Sequence, residues 1–191
     1  NDAAVGGWIA YMPAYLKSGG ALGVKAVTVY KENPSKFGLP TTIGTILVQD
    51  NKTGVVVAAM DGGLLTGVRT GASGGVATRH LARKNSKVAG VLGTGVMARS
   101  QVLALAEVAD LETILVYSRN DDAAKKAFAE EFSGITGLDV QVAESAEGLV
   151  RESDVVTLIT SAVEPIVDAD WWKPGTHINA IGSFQPEVVE V

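Results

Sequence analysis

Residues 88–98 read Val88-Ala-Gly-Val-Leu-Gly93-Thr-Gly95-Val-Met-Ala98, in which a short apolar segment leads directly into the pattern G-x-G-x-x-A. A strand followed by this turn and a helix lets the backbone close on a pyrophosphate group. Gly93 permits the tight turn, Gly95 leaves room for the phosphates, and Ala98 lets the helix pack closely on the strand. The N-terminus of helix 96–108 then directs free N–H groups at the anion. The alternative is a glycine turn that binds nothing. The predicted cofactor contacts here are Gly93, Thr94, Gly95, Val96, Met97 and Ala98.

From residue 88 onward, predicted strands and helices alternate regularly. The strands are 88–92, 113–117, 140–142, 155–159 and 177–181, and the helices are 96–108, 121–132 and 146–152. Parallel strands joined by right-handed helical crossovers form a doubly wound sheet. The sequence therefore predicts an α/β protein with a Rossmann-type parallel sheet, and we expect the strand order 3-2-1-4-5.

The N-terminal region differs in its sequence pattern, because residues 1–62 are rich in β-forming segments. Strands are predicted at 24–30, 43–49 and 55–60, the last two joined by the turn Asn51-Lys-Thr-Gly54, and 31–40 is predicted to be a loop. A helix is predicted at 64–83, although glycines cost a helix about 1 kcal/mol each relative to alanine. The four glycines in this helix indicate close approach by another backbone or by a ligand, and both interpretations stay open. The four glycines are Gly67, Gly71, Gly74 and Gly75.

Composition excludes several classes of function. The 191 residues are 47% hydrophobic with 22 glycines, which is typical of a packed α/β protein. A formal charge of -5 provides no basic field for nucleic acid, and no apolar run approaches the ~18 residues of a membrane span. The absence of cysteine fits a reducing compartment, and we expect the cytoplasm. The chain begins at Asn1 without Met, so we expect a piece of a longer protein.

The end of the second parallel strand indicates which cofactor is bound. In a site for NAD, an Asp or Glu here accepts a hydrogen bond from the adenosine ribose, whereas this chain has Ser118, Arg119 and Asn120. A guanidinium suits a 2′-phosphate, so NADP is favoured over NAD, with Ser118, Arg119 and Asn120 as contacts. The alternative is a solvated arginine that pairs with a following aspartate. Thr160 ends the fourth strand, where it either lines the cofactor crevice or is a simple turn residue.

Two cations are candidates for binding an anionic substrate. Lys25 lies in a strand that is otherwise nearly free of charge, so its ammonium must extend to solvent or meet an anion. Arg69 lies near the start of the glycine-rich helix. Together they would bind a carboxylate, although each could equally form a surface salt bridge. No residues are spaced like a metal site, so no metal is predicted.

The chain resembles the ornithine cyclodeaminase/mu-crystallin family almost throughout. The matching motifs, in order, are Met12-Pro-Ala-Tyr15, Gly23-Val-Lys25, Gly38-Leu-Pro-Thr41, Asp61-Gly-Gly-x-Leu-Thr66-x-x-Arg69-Thr70-x-Ala72, Gly93-Thr-Gly95-Val-x-Ala98 and Pro174-Gly-Thr-His177-Ile-Asn179-Ala-Ile-Gly182. Their shared order and spacing make the resemblance specific to this family.

The resemblance implies a Rossmann domain at 71–191, preceded by part of an α+β substrate and dimerisation domain at 1–70, with 64–83 as the linking helix. It implies that Lys25, Thr41 and Arg69 contact the substrate, with Lys25 as the candidate catalytic residue. It also places Thr70, the glycine loop and Thr160 at the cofactor. The full-length protein is expected to form a homodimer and to bind a small amino-acid or imino-acid substrate, not nucleic acid or membrane.

One departure from the family pattern bears on the reaction. Cyclodeaminases and the related alanine dehydrogenases carry an Asp two residues before Pro186, where this chain has Phe184. A benzyl group cannot exchange protons, and losing a general acid or base costs about 10²–10⁴ in rate. Reduction of a ready-made cyclic imine asks less of the enzyme, and ketimine reductases of this family also lack the Asp. We therefore expect an NADPH-dependent reductase of cyclic ketimine carboxylates. Ornithine cyclodeaminase, alanine dehydrogenase and a non-catalytic NADPH-binding protein are the alternatives.

Overall fold

The computed structural model describes residues 7–119, 121–162, 164–183 and 189–191. The chain forms two compact units, residues 1–66 and residues 67–191. No helix in these described ranges is both long enough and apolar enough to cross a membrane.

The first unit is a four-stranded antiparallel meander with the order β1-β2-β3-β4. Its strands are β1 (Gly7–Leu16), β2 (Ala21–Tyr30), β3 (Thr42–Gln49) and β4 (Val56–Asp61). The turn between β3 and β4 is built by Asp50, whose carboxylate accepts hydrogen bonds from the N–H groups of Lys52 and Thr53 at 3.0 and 2.8 Å. The turn closes at Gly54, where φ is +73°. The predicted hairpin is therefore confirmed.

The second unit is a five-stranded parallel sheet with the order β7-β6-β5-β8-β9. Counted within this unit, that is the predicted order 3-2-1-4-5, so the doubly wound α/β fold is confirmed. The strands are β5 (Val88–Leu92), β6 (Thr113–Tyr117), β7 (Asp139–Val142), β8 (Val155–Leu158) and β9 (His177–Ala180). The helices that follow β5, β6 and β7 are α3 (Val96–Val108), α4 (Asp122–Thr136) and α5 (Ala146–Glu152).

The core of the second unit lies on both faces of this sheet, which is why its central strands β5, β6 and β8 are largely apolar runs. All four residues of β8 are buried, as are the last four of β5. One face packs under α3 and α4, with Phe132 and Leu105 at its centre. The other face packs under α5, with Leu149 and Val150, and against the partly buried Trp171 and Trp172.

Asp154 anchors the amino ends of β5 and β8. Its carboxylate accepts hydrogen bonds from the backbone N–H groups of Lys87 and Val88 at 2.9 and 3.2 Å. Arg83 and Lys173 approach the other oxygen at 3.0 and 3.3 Å. Burial raises the pKa of Asp154. The hydrogen bonds from Lys87, Val88 and Lys173, together with the Lys173 charge, lower it by more, so the net pKa lies below its ordinary value.

Several details differ from the sequence predictions. Strand β1 was not predicted as a separate element, and the short helix α1 (Asn33–Phe37) lies within the predicted loop 31–40. Helix α4 continues to Thr136, where Gly137 in the left-handed region ends it, instead of stopping at residue 132. The helix predicted at 64–83 is α2 (Gly63–Leu81).

Candidate functional site

The loop between β5 and α3 has the backbone that its glycine pattern predicts. Gly93 has a φ of +122°, and a Cβ there would lie 2.5 Å from the carbonyl oxygen of Ile159. Its N–H donates to the carbonyl of Tyr117 at 2.8 Å, which ties the loop to β6. At Gly95, by contrast, no atom from elsewhere in the described part of the chain lies within 4 Å of the position that a Cβ would take. The backbone beside Gly95 is therefore open to a close-lying group such as a phosphate.

Helix α3 presents its amino end at this loop. Gly95 is the N-cap, its backbone is extended, and no side chain caps the helix. The N–H groups of Val96 and Met97 belong to the first turn and have no partner within the helix. Ala98 is fully buried, so its small side chain lets the helix lie close to the sheet. Uncapped N–H groups and the positive end of the helix dipole suit a phosphate.

The glycines of α2 pack against α3. A Cβ at Gly71 would overlap the backbone of Ser100, and one at Gly74 would overlap the side chain of Gln101. A Cβ at Gly75 would lie 3.1 Å from that of Ala104. The close approach that these three glycines permit is therefore that of another helix.

The tip of β6 is organised around Ser118. Its hydroxyl lies 2.9 Å from that of Thr94, so the tip of β6 is joined to the glycine loop. Arg119 follows and is exposed. Asp121 accepts a hydrogen bond from the N–H of Ala124 as the N-cap of α4, and Asp122 pairs with Lys125 at 2.8 Å.

Neither aspartate is therefore engaged with the guanidinium. Within the described ranges of the chain, Arg119 forms no ion pair. Asn120, the remaining predicted contact at this end, lies outside the described residues.

Thr160 lies two residues beyond β8, at the carboxyl edge of the sheet. Its neighbour Ile159 donates its N–H to the carbonyl of Leu92 at 2.9 Å, which holds this segment beside the glycine loop. The N–H and the hydroxyl of Thr160 both donate to Oε1 of Glu190 at 2.7 Å. The sequence did not predict this pairing, because the two residues are separated by 30 positions and no motif joins them.

The first unit carries two of the predicted substrate residues, Lys25 on β2 and Thr41 just before β3. Lys25 is half-buried, and its ammonium donates to the hydroxyl of Thr66 at 3.4 Å. Thr66 is buried and was not predicted as a site residue, although it belongs to the motif that contains Arg69. The backbone carbonyl of Thr41 accepts a hydrogen bond from Tyr30 at 2.8 Å, and Tyr30 lies five residues along β2 from Lys25. That distance is about 17 Å of strand.

The second unit carries Arg69 and Thr70 on α2. Arg69 is exposed, and its carbonyl accepts a hydrogen bond from the hydroxyl of Ser73 at 3.0 Å. No ion pair of Arg69 occurs among the residues that the structure describes. Thr70 is half-buried one residue further along.

His177 belongs to a structural hydrogen-bond network. Its Nε2 lies 3.1 Å from the Asn179 side-chain oxygen, and the Asn179 amide donates to the hydroxyl of Thr78 at 2.9 Å. Burial lowers the pKa of His177, although the hydrogen bond to Asn179 acts in the opposite direction. No group of three or more His, Asp or Glu side chains could hold a metal ion within the described part of the chain.

The fold and the glycine loop together match a known family. The family model described as "Ornithine cyclodeaminase/mu-crystallin family" matches residues 3–191. The chain belongs to the ornithine cyclodeaminase/mu-crystallin family. Phe184, which the sequence analysis singled out as a departure from the family pattern, lies outside the described residues.

Three members of this family are similar to the chain over most of its length. The Δ1-pyrroline-2-carboxylate reductase of Thermococcus litoralis, solved with NADH and L-proline, is 46% identical with a TM-score of 0.89, over 93% of this chain and 55% of that one. The Δ1-pyrroline-2-carboxylate reductase of Bacillus cereus is 38% identical over 94% of this chain and 54% of its own length. An archaeal alanine dehydrogenase dimer with bound NAD is 39% identical with a TM-score of 0.85, over 93% of this chain and 53% of that one. The chain thus spans about half the length of these relatives.

Proposed function

We propose that the protein is an NADPH-dependent reductase of cyclic ketimine carboxylates such as 1-pyrroline-2-carboxylate. The observation that carries the proposal is the 46% identity to a reductase whose structure holds NADH and L-proline together. L-proline is the product expected when the C=N bond of 1-pyrroline-2-carboxylate gains a hydride at carbon and a proton at nitrogen. The reaction proposed here is that same two-electron reduction.

The glycine loop fits the cofactor that this reaction requires. The open backbone at Gly95 and the uncapped amino end of α3 would hold the pyrophosphate. Reduced nicotinamide supplies the hydride when bound. Thr70 and Thr160 are proposed to contact the cofactor as well, Thr160 from the carboxyl end of β8.

The preference for NADPH over NADH rests on the tip of β6. In a site for NAD an acidic residue accepts a hydrogen bond from the ribose, whereas here β6 is followed by Ser118 and Arg119. Of the nearby carboxylates, Asp121 caps α4 and Asp122 pairs with Lys125. The exposed guanidinium of Arg119 would instead bind the 2′-phosphate, with Ser118 held in place by Thr94. Asn120 is proposed as a third contact at this end.

The substrate carboxylate is proposed to bind Lys25 and Arg69, with Thr41 as a further contact. The hydroxyl of Thr66 orients the Lys25 ammonium by accepting one of its hydrogen bonds. We assign Lys25 the catalytic role of holding the substrate while the imine nitrogen carries its proton. An imine that arrives protonated needs no enzyme acid, so orientation by fixed charges is the main requirement.

Phe184 separates this reaction from the alternatives. Ornithine cyclodeamination and alanine oxidation both need a group that moves protons where this chain has a benzyl side chain. A protein that only binds NADPH would not need two cations for a carboxylate, so Lys25 and Arg69 favour an enzyme.

We also propose that the full-length protein is a homodimer in the cytoplasm, where reduced nicotinamide cofactor is available. The first unit exposes large apolar side chains on its sheet, which a partner subunit would cover. They include Tyr11 at 69%, Val57 at 62% and Tyr15 at 59% exposure.

NADPH oxidation by the full-length protein tests the proposed reaction. The panel contains five- and six-membered cyclic imine carboxylates, pyruvate with ammonia, and a no-substrate control. We expect turnover with a cyclic imine carboxylate and little with pyruvate. Turnover with pyruvate and ammonia alone would favour an alanine dehydrogenase, and NADPH binding without any turnover would favour the non-catalytic alternative.

A further inference from the structure

Glu190 is a fully buried carboxylate whose side-chain hydrogen bonds both come from a single residue. Its exposure is 0%, and its Oε1 accepts from the N–H and from the hydroxyl of Thr160, each at 2.7 Å. Within the described residues, Glu190 has no cationic partner and its Oε2 has no hydrogen-bond partner. Burying a carboxylate in this way is costly, so its contact with Thr160 calls for an explanation.

The hydrogen bonds of the Thr160 hydroxyl determine what it can offer a ligand. A hydroxyl has one proton to donate and two lone pairs to accept with. The proton is directed at Glu190 Oε1, and one lone pair accepts from the N–H of Ala162 at 3.1 Å. Oε1 receives two donors and is an acceptor in either protonation state of the carboxyl group. Thr160 therefore has one lone pair left, and toward a ligand it acts only as an acceptor.

Gly182 makes room for this arrangement. The residue follows β9, and its N–H donates to the carbonyl of Leu158 at 3.2 Å. A Cβ at this position would overlap the Glu190 carboxyl carbon and both of its oxygens. The backbone N–H of Glu190 donates to the hydroxyl of Ser183 at 3.1 Å, and its carbonyl accepts from Ile166 at 3.1 Å. The backbone hydrogen bonds of Glu190 thus hold the residue in place, and the absence of a side chain at residue 182 leaves room for its carboxylate.

The location decides which part of a dinucleotide Thr160 faces. The pyrophosphate of a bound dinucleotide lies at the first βα turn, and the adenosine half lies toward the next strand of the sheet, here β6. Strand β8 is on the opposite side of β5 from β6. The nicotinamide nucleoside half therefore lies on the β8 side, where Thr160 follows the strand. Its hydrogen-bond donors are the carboxamide N–H groups and the ribose hydroxyls.

We propose that Glu190 is a positioning residue that fixes the Thr160 hydroxyl as an acceptor for a hydrogen-bond donor of the nicotinamide nucleoside. The proposal deepens the cofactor assignment and rests on the proposed function. Glu190 itself does not contact the cofactor, so its effect on cofactor binding passes through Thr160. Removal of either residue should therefore remove the same interaction.

A double-mutant cycle on the full-length protein tests this coupling, with dissociation constants for reduced cofactor measured by fluorescence titration. Thr160→Val and Glu190→Ala should each weaken binding about fivefold, the range expected for one lost hydrogen bond. The double variant should bind within about twofold of Thr160→Val, because the second change removes nothing further. Glu190→Gln keeps an acceptor oxygen and should bind within about twofold of the wild type. Losses that multiply in the double variant, or a Glu190→Gln loss equal to that of Glu190→Ala, would overturn the proposal.

Two further arms separate positioning from folding and identify the donor. Thr157→Val is the matched control, because this buried threonine of β8 bonds Asn179 and should lower the melting temperature without changing cofactor affinity. A cofactor analogue with a methyl ketone in place of the carboxamide has lost the N–H donors. If Thr160→Val weakens only the natural cofactor, the donor is the carboxamide, and if it weakens both equally, the donor is a ribose hydroxyl. If it weakens neither, the proposal is wrong.

These arms measure binding only, so they can be read whether or not an imine is reduced. A wild-type protein that binds cofactor but reduces no cyclic imine would contradict the proposed function and leave the Glu190 assignment standing.

Discussion

Replacing Arg119 with alanine should weaken NADPH binding about tenfold and leave NADH binding nearly unchanged. The guanidinium is exposed, forms no ion pair within the described ranges, and follows Ser118 at the tip of β6. A hydrogen bond to a charged group contributes about 1.5–3 kcal/mol. Solvent screening at an exposed site favours the lower end of this range, and 1.4 kcal/mol corresponds to a factor of about ten.

The assay is a fluorescence titration of both cofactors into the wild type, Arg119→Ala and the control Arg79→Ala. Arg79 is also exposed, on α2, and should leave both affinities unchanged. The wild-type preference for NADPH should shrink as salt is raised, because the contact is between charges near solvent. Equal losses of NADPH and NADH affinity in Arg119→Ala would refute the assignment of Arg119 to the 2′-phosphate.

Four other predictions follow from the same structure. Arg69→Ala should raise KM for a cyclic imine at least tenfold while cofactor affinity stays unchanged, and steady-state kinetics identical to those of Arg79→Ala would place the carboxylate elsewhere. Gly95→Val should abolish cofactor binding with little change in melting temperature, since its Cβ meets open space, whereas Gly93→Ala should destabilise the fold by about 2 kcal/mol through its positive φ. Asp154→Asn should cost about 1–2 kcal/mol near neutral pH, measured by urea unfolding. The folded-state pKa of Asp154 lies below its ordinary value of 3.8, so the carboxylate stabilises the protein above that pH. The difference in unfolding free energy between wild type and Asp154→Asn should therefore decline as the pH falls further. A difference that does not depend on pH would contradict the assignment. Light scattering on the full-length protein should give the mass of a dimer at micromolar concentration, and a monomer there would contradict the proposed covering of the exposed sheet.

The parallel sheet could be predicted from the sequence because its central strands β5, β6 and β8 are apolar runs and helix signals follow β5 and β6. Strand β1 gave no such signal, since it includes Gly7 and Pro13 and few β-branched residues. Proline is tolerated at the edge of a sheet, and β1 is an edge strand, so only the pairing with β2 reveals it. The sequence predicts a loop where α1 forms, because Pro34 and Gly38 interrupt the segment, although proline is also favoured in the first turn of a helix.

Part of the candidate site could also be predicted from the sequence, and part could not. The glycine loop is contiguous in sequence, so its turn, its open backbone at Gly95 and its helix start were all predictable. The pairs that support it are distant in sequence: Lys25 with Thr66, Thr94 with Ser118, and Thr160 with Glu190. Their separations of 41, 24 and 30 residues depend on how the chain packs, and no local pattern encodes them. The sequence also could not decide whether the glycines of α2 face another backbone or a ligand, and the structure shows that α3 packs against them.

The most direct measurement compares two reactions, imine reduction and ornithine cyclodeamination, with one preparation of full-length protein. In one reaction NADPH oxidation is followed with 1-pyrroline-2-carboxylate, and in the other proline and ammonia are quantified after incubation with ornithine and oxidised cofactor. We expect rapid NADPH oxidation with formation of proline in the first reaction and no useful proline formation in the second. Ready conversion of ornithine to proline and ammonia, with little reduction of the imine, would contradict it and make the protein an ornithine cyclodeaminase.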